Sequence, residues 1–437
     1  MKNILVIAYY FPPSGGPGGQ RVLKTVKYLP AFGWQPYVLT VSNGQFPAID
    51  ETLLEEIPKS VVVERTRIFE PYDIYRKITG MKPGTAIDVN VIKKEGQSLS
   101  FKQKLAEFVR ATFFIPDARV GWLFSAVKAG KEMINKYNIQ AIYSSSPPYT
   151  CSLIAKKLKN TSNLPWVAGF RDPWTGFISS PNRWLIPAMI DRHFEKSVFQ
   201  TADFVECAWE GIIKDALSKY PVLDKKKFIH IPNGFDSDDF PEIEIKANEK
   251  FTLTYTGSMY GRRNPESLFK AIEILISTGK INPYDIKLIF VGRFGDEIHE
   301  MFNKASFKDK IEIYGYVPHK ESVEFILRSD ALLLIVDESK ESEEIVPGKV
   351  YEYIGTRKPI LAIAPENSAI SKLIRETNTG LVAHQTEIDK ISEHFLKFYL
   401  AWKQKTKLTI PDESEINKYE RRESAKQLAA LLDSIVS

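Results

Sequence analysis

Glu344-Ile-Val-Pro-Gly-Lys-Val-Tyr-Glu352 sets two carboxylates eight positions apart across the start of an expected helix. It follows the apolar run Ala331-Leu-Leu-Leu-Ile-Val336, which reads as a buried strand. Pro347 suits the first turn of a helix, where its missing N–H costs nothing. Gly348, Lys349 and Val350 come next at the helix mouth, with free backbone N–H groups and one cation. That pattern makes an anion site. Glu352 lies more than one turn further in, where its carboxylate can accept hydrogen bonds from hydroxyls. A sugar nucleotide offers both partners, a diphosphate and the hydroxyls of its ribose and sugar. The plainer alternative is a pair of carboxylates that only cap and solvate a helix.

Strands and helices alternate outward from this stretch in both directions. Thr252–Tyr255, Lys287–Val291, Ile311–Tyr314 and Ile360–Ile363 read as strands, and Pro265–Ser277, Glu321–Leu327 and Ser368–Glu376 as helices. The first forty residues repeat the pattern: strand Ile4–Tyr10, a loop containing Gly15-Gly-Pro-Gly-Gly19, helix Gln20–Phe32, strand Tyr37–Val41. Ala141–Ser144, Trp166–Phe170 and Phe204–Cys207 are further short apolar strands. The polar stretch 70–99 reads as a long insertion. Pro241–Lys250 reads as a linker between two parallel α/β domains, 1–240 and 251–410.

Composition supports two globular bodies. The chain has 437 residues, of which 43% are hydrophobic and 26% charged, too long for one ordinary core. A formal charge of +5 is small for this length and does not point to nucleic acid. The only cysteines, Cys151 and Cys207, cannot build a disulfide framework, and a reducing compartment is expected. Six histidines show no paired ligand spacing, so no metal is expected. The short N-terminal apolar run ends in Pro12-Pro13 and reads as a strand, not a leader. No run is long enough to span a bilayer. The expected location is cytoplasmic. A peripheral contact with the inner face of the membrane is one reading of the stripe Phe101, Leu105, Phe108, Val109, Phe113; packing on the core is the other.

Two glutamates with seven residues between them, followed by Tyr351-Glu-Tyr353 and Lys358-Pro359, resemble the family 4 glycosyltransferases. The resemblance extends to Ile115-Pro-Asp117 with Trp122, to Ser144-Ser-Ser-Pro-Pro148, to Arg171-Asp-Pro-Trp174 and to Pro232-Asn-Gly-Phe-Asp236. It implies the GT-B fold: two Rossmann-like, doubly wound parallel-sheet domains facing a central cleft, with a terminal helix (411–437) crossing back to the first. It also implies transfer of a sugar from a nucleotide donor to a hydroxyl acceptor, small-molecule, glycan or lipid-linked. Retention of configuration, no metal or other cofactor, and a place in cell-surface polysaccharide or lipopolysaccharide synthesis go with it. The chain departs from the commoner family text by lacking Gly-Phe-Gly after Glu344 and by carrying Ser258 where relatives carry Arg. A sugar-nucleotide epimerase of the same fold and a non-catalytic nucleotide-binding partner in polymer assembly remain as alternatives.

The resemblance assigns roles residue by residue. Glu344 would contact the transferring sugar and Glu352 the ribose. Arg262 or Arg263 would grip the diphosphate with Gly348, Lys349 and Val350, since guanidinium suits bidentate phosphate contact. Backbone groups of Tyr316 and Val317 would meet the base. Gly18, Gly19 and Arg21 would face donor phosphates or acceptor. Ser146, Arg171 and Asp172 follow strands and should project at the sheet edge. Asp172 there is the candidate to orient or deprotonate the acceptor hydroxyl. Packing by Trp122 and a cap from Asp117 account for the Ile-Pro-Asp segment. Asp236-Ser-Asp238 follows Pro-Asn-Gly-Phe and reads as a turn, not a metal motif.

Overall fold

The computed structural model describes residues 1–46, 48–69, 108–177, 180–337, 344 and 346–436. The expected insertion at 70–99 and the first part of the 101–124 stripe lie outside these residues. The chain divides into two units, Met1–Pro232 with Ser424–Ser437, and Asn233–Glu423.

Unit 1 is built on a seven-stranded sheet. Its strands are β1 (Lys2–Ala8), β2 (Trp34–Val41), β3 (Val62–Thr66), β4 (Ala141–Ser146), β5 (Trp166–Phe170), β6 (Phe204–Cys207) and β7 (Phe228–His230), in the order β3-β2-β1-β4-β5-β6-β7. Every neighbouring pair is parallel. Its helices are α1 (Pro17–Tyr28), α2 (Leu123–Lys136), α3 (Thr150–Ser162), α4 (Leu185–Thr201) and α5 (Glu210–Lys219). Unit 2 has a six-stranded parallel sheet of β8 (Phe251–Thr256), β9 (Ile286–Val291), β10 (Ile311–Tyr314), β11 (Ala331–Ile335), β12 (Ile360–Ile363) and β13 (Gly380–Ala383), ordered β10-β9-β8-β11-β12-β13. It carries α6 (Glu266–Ser277), α7 (Asp296–Lys304), α8 (His319–Leu327), α9 (Gly348–Gly355), α10 (Ala369–Glu376), α11 (Ile388–Gln404) and α12 (Glu413–Asn417). The last helix is α13 (Arg421–Ile435).

Apolar runs become central strands because both sheet faces are covered. In β1, Leu5 and Ile7 enter one core cluster while Ile4, Val6 and Ala8 enter the other. In β11, Leu333 and Ile335 face one cluster and Leu332 and Leu334 the opposite one. In each unit the strand order reverses at one place, between β1 and β4 and between β8 and β11. Ligands of open α/β sheets sit at the strand C-termini beside such a reversal. The segments leaving those ends are Tyr9–Gly19 and Ser146–Pro148 in unit 1, and Gly257–Arg263 and Val336–Asp337 in unit 2.

Three expectations shift. The unit boundary falls after Pro232, not at 240, because Phe235 is buried against unit 2 residues and stacks on Phe240 at 5.9 Å. Residues 411–423 also belong to unit 2, where Ile416 joins the same cluster. Pro347 occupies the cap position before α9 with extended backbone, φ −60° and ψ 142°, and not the first turn. The chain returns to unit 1 at Ser424. Leu428, Ala429 and Leu432 there pack with Val22, Val26 and Leu29 of the first helical segment. Asp433 accepts from Trp34 Nε1 at 3.2 Å and pairs with Lys2 at 3.2 Å.

Leu432→Ala is expected to destabilise unit 1 by about 2–5 kcal/mol through the lost contacts and residual cavity. Urea unfolding followed by intrinsic fluorescence checks this; an unmoved unit 1 transition would show that the returning helix contributes nothing.

Candidate functional site

In unit 2 the site is assembled by α9 clasping the end of β8. Lys349 and Tyr353 stand four residues apart and therefore share one helix face. Lys349 Nζ donates to the Thr256 carbonyl at 3.0 Å, and the Thr256 N–H donates to the Tyr353 hydroxyl oxygen at 2.8 Å. The ammonium lies 3.6 Å from the centroid of the Tyr255 ring, an attractive cation–π geometry. Arg263 comes to the same place, beside the Tyr255 hydroxyl, and reaches Asp337 Oδ1 at 3.1 Å. Burial, and after it the Arg263 charge, hold the Lys349 ammonium well below the ordinary lysine value. Arg263 Nε is shielded from solvent and has no acceptor among the described residues. Two cations and an orphaned donor thus converge, with Asp337 the one carboxylate paired to them among the described residues.

The turns that admit this cluster require glycine. Gly257 has φ +112°, and a Cβ on Gly292 would lie 2.1 Å from the Gly257 carbonyl oxygen. The ends of β8 and β9 therefore approach closely only because both residues lack side chains. At the α9 mouth, the Gly348 and Lys349 amides have no acceptor among the described residues, whereas the Val350 N–H is taken by the Pro347 carbonyl at 3.0 Å. Val350 is fully buried in the core. Its expected part in anion binding is corrected: the first free turn ends at Lys349.

Beyond this cluster, Tyr316 is exposed, and the Arg293 guanidinium lies 5.0 Å from its ring centroid. The amides of Tyr316 and Val317 make no hydrogen bond among the described residues and remain open for a partner. Glu352 is partly buried, and its Oε1 lies 2.8 Å from His319 Nε2, on the first residue of α8. Sequence reading assigned His319 no role; its pairing with Glu352 depends on tertiary folding. Arg262 is exposed, and the guanidinium that acts on Lys349 is that of Arg263. Glu344 stands on an exposed turn.

In unit 1 the Arg171-Asp-Pro-Trp174 loop is clamped from several sides. The Arg171 N–H donates to the Ser146 carbonyl at 2.9 Å, and Trp209 Nε1 to the Arg171 carbonyl at 3.0 Å. Tyr149 donates to the Pro173 carbonyl and stacks on Trp174 at 4.6 Å. Trp174 Nε1 donates to Asp191 at 2.8 Å, and Thr175 to Glu195 at 2.6 Å. Asp117 fixes the start of α3 by accepting from Thr150 N at 3.0 Å, and Trp122 is buried with its Nε1 on Thr66 at 2.7 Å. These contacts leave the Asp172 carboxylate as the free group of the loop: it has no hydrogen bond among the described residues, and burial raises it above the ordinary carboxylate range against the opposing charge of Arg171. Arg171 donates to the Pro147 carbonyl, covers Gly18 and faces the Tyr10 ring at 5.8 Å. Its Nη1 is shielded and has no acceptor among the described residues.

Two other expectations in this unit change. Arg21 is buried, ion-paired with Glu206, and donates to the carbonyls of Pro232 at 3.0 Å and Ile231 at 2.8 Å. Tyr143 donates to the other oxygen of Glu206 at 2.7 Å. Arg21 is thus an internal brace and is turned away from any ligand. Ser146 is likewise buried, bonded to Ser152 at 2.7 Å. Gly19 packs its Cα against the Ser14 carbonyl and its N–H donates to Gly16 at 3.1 Å, while the Gly18 N–H stays open. Asp236 accepts from Asp238 N at 3.1 Å, capping a short turn.

Residues 236–410 match the family described as "Glycosyl transferases group 1". No curated protein matches the chain by sequence. Among solved structures, a glycosyltransferase from Rickettsia africae ESF-5 is 14% identical with a TM-score of 0.60, covering 100% of this chain and 99% of its own. Anabaena Alr3699/HepE, solved with UDP and glucose, is 14% identical with a TM-score of 0.51, covering 99% of this chain and 96% of its own. A UDP-N-acetylglucosamine 2-epimerase, so assigned in Listeria monocytogenes, is 12% identical with a TM-score of 0.53, covering 99% of this chain and 96% of its own. At these identities the likeness concerns fold, and the fold is GT-B.

Two measurements check the site. An anion bound at Lys349 will keep it protonated. Pyrophosphate affinity should therefore fall as pH rises through the depressed lysine value, well before the ordinary 10.5. Calorimetry in buffers of different ionisation heat should show proton uptake absent in Lys349→Met; identical profiles for both proteins would count against the assignment. Separately, Arg21→Met leaves Glu206 charged and buried and should cost about 3–5 kcal/mol of unit 1 stability, read by urea unfolding.

Proposed function

We propose that the protein is a nucleotide-sugar-dependent glycosyltransferase that works without a metal, retains anomeric configuration and acts in cell-surface polysaccharide or lipopolysaccharide synthesis. The observation that carries this reading is the convergence of Lys349, Arg263 and the open α9 mouth on one place. Such a cluster suits a diphosphate leaving group, whose charge preorganised donors stabilise as it develops. The family match to residues 236–410 supports transfer.

On this reading the Gly348 and Lys349 amides, the Lys349 ammonium and Arg263 hold the diphosphate. Tyr316 and Val317 meet the base with backbone groups, and Arg293 backs the Tyr316 ring. Glu352, oriented by His319, accepts from ribose hydroxyls, and Glu344 contacts the sugar. The clamped loop of unit 1 presents Asp172 to the acceptor hydroxyl, as a hydrogen-bond acceptor or as the base. The donor phosphate is the alternative proton acceptor. A raised carboxyl is better matched to proton transfer near neutrality than an ordinary aspartate.

The epimerase reading shares the fold, so likeness to solved structures does not separate the two. Unit 1 offers an aspartate and an arginine at its sheet edge, and serines and prolines in the neighbouring turn, where an epimerase would need several acidic and histidine groups. Incubation with a panel of nucleotide sugars decides: nucleotide released with acceptor means transfer, and an isomeric sugar nucleotide without release means epimerisation.

Arg263→Ala and Glu352→Gln are each expected to raise the donor KM by about ten-fold or more, the loss of one charge-assisted contact. Asp172→Asn should lower kcat by roughly 10²–10⁴-fold if Asp172 is the base. Wild-type turnover should then fall as pH drops through the raised Asp172 value, because the carboxylate is the working form. Unchanged kcat and pH profile in Asp172→Asn would leave the donor phosphate as proton acceptor.

A further inference from the structure

Helix α4 buries Pro187, Asp191, Glu195 and Val198, a spacing that turns one face onto Trp174 and the core. The opposite face of its first turns is apolar and open to solvent. Leu185 is 73% exposed, Met189 61% and Ile186 56%, with Trp184 and Ile190 also exposed. The helical segment 108–113 extends the same surface. Trp184 Nε1 donates to Thr112 Oγ1 at 2.9 Å, and Arg183 donates to the carbonyls of Ala111 at 2.7 Å and Phe114 at 2.9 Å. Phe108 and Phe113 on that segment are exposed as well. Exposed apolar residues are ordinary when scattered; a contiguous group marks an interaction surface.

The exposed charges that these two described elements carry are of one sign. Arg192 and His193 are exposed, and Arg110 and Lys196 partly so. The acids of these two elements, Asp191 and Glu195, are buried. Asp191 pairs with Arg183 and Trp174, and Glu195 binds Thr175 and Tyr220. No exposed acid lies on 108–113 or on 184–196. A tryptophan and aliphatic side chains accompanied by cations, with both acids of these described elements turned inward, match the boundary of an anionic bilayer. There apolar groups enter the acyl region, and each nearby cation adds attraction to the headgroups.

We infer that the face formed by Trp184–Ile190 and Phe108–Phe113 docks unit 1 onto an anionic lipid surface. Sequence reading offered membrane contact for the run 101–124 as one of two alternatives; the docking face centres on α4, and residues 101–107 of that run lie outside the described residues. Because α4 packs on Trp174, docking would bring the Arg171-Asp172 loop close to the lipid and favour a lipid-linked acceptor. The inference stands independently of the transfer reading, since it is tested by binding alone.

Flotation of the full chain with phosphatidylcholine vesicles, plain or with roughly one-third phosphatidylglycerol, tests it. The expected result is binding to the anionic vesicles only. Binding should fall about ten-fold or more in Ile186→Glu/Met189→Glu, and also in Arg192→Glu/Lys196→Glu, with both variants keeping the wild-type urea midpoint. Trp184 should be quenched by brominated lipid, and Trp184→Phe should remove that component. Three results would overturn it: no vesicle binding by the wild type, binding that the variants keep, or a concentration-dependent dimer in sedimentation that Ile186→Glu/Met189→Glu abolishes while vesicles stay unbound.

Discussion

A lysine ammonium held against a carbonyl and an aromatic ring, with a guanidinium nearby, is the contact on which unit 2 turns. Lys349 is oriented by Thr256 and Tyr255, beside Gly257, whose φ of +112° calls for glycine. Tyr353, one turn on, fixes the same strand end through Thr256. The clasp therefore couples the start of α9 to the end of β8 and sets the spacing of every other group in the cluster. It leaves two positive charges near each other with one paired carboxylate among the described residues, Asp337, which sits on Arg263. Burial first, and then the like charge, lower the lysine's affinity for its proton. An anion placed there would offset both terms, which is the physical ground for the proposed diphosphate site.

Unit 1 solves a different problem. Its loop after β5 is fixed through backbone carbonyls, a tryptophan and a threonine, with buried carboxylates of α4 as partners. The constraint falls on every part of the loop except the Asp172 carboxylate. A side chain on an immobilised loop, with no internal partner, loses little further entropy on meeting a ligand. The same buried acids that clamp the loop also remove negative charge from the exposed face of α4. One packing arrangement thus produces both a positioned carboxylate and an exposed α4 face whose own acids are buried.

Much of this was legible in the chain. Long apolar runs such as Ile4–Tyr10 and Ala331–Val336 announced central strands, because a strand covered on both faces cannot alternate. The short edge strands β3, β7 and β13 were not anticipated, since edge positions mix polar and apolar residues as loops do. Helix α4 was missed for a related reason: its exposed face is apolar, so the usual contrast between faces is blurred. At the site, Lys349, Arg263 and Asp172 could be picked out by position after strands. The pairing of His319 with Glu352 could not, because thirty-three residues and a strand separate them. Val350 was misjudged because its N–H closes a short turn on the Pro347 carbonyl and its side chain is buried, neither of which the sequence displays.

The two glycine-bearing turns show why position alone was insufficient. Each follows the first strand of its unit, and each is followed by an arginine, Arg21 in unit 1 and Arg263 in unit 2. Their fates differ with what the neighbouring strands supply. Beside Arg21, β6 offers Glu206 and the segment after β7 offers two carbonyls, so the guanidinium is neutralised and internal. Beside Arg263 the comparable partner among the described residues is Asp337, and its Nε is shielded with no acceptor among them. Positive charge left over at the strand ends is therefore concentrated on Lys349 and Arg263 in unit 2. Unit 1 keeps Arg171 next to a raised carboxyl, a pair suited to a neutral hydroxyl more than to a diphosphate. The difference in charge between the two strand ends follows from these internal pairings, not from the motifs, which look alike in both halves.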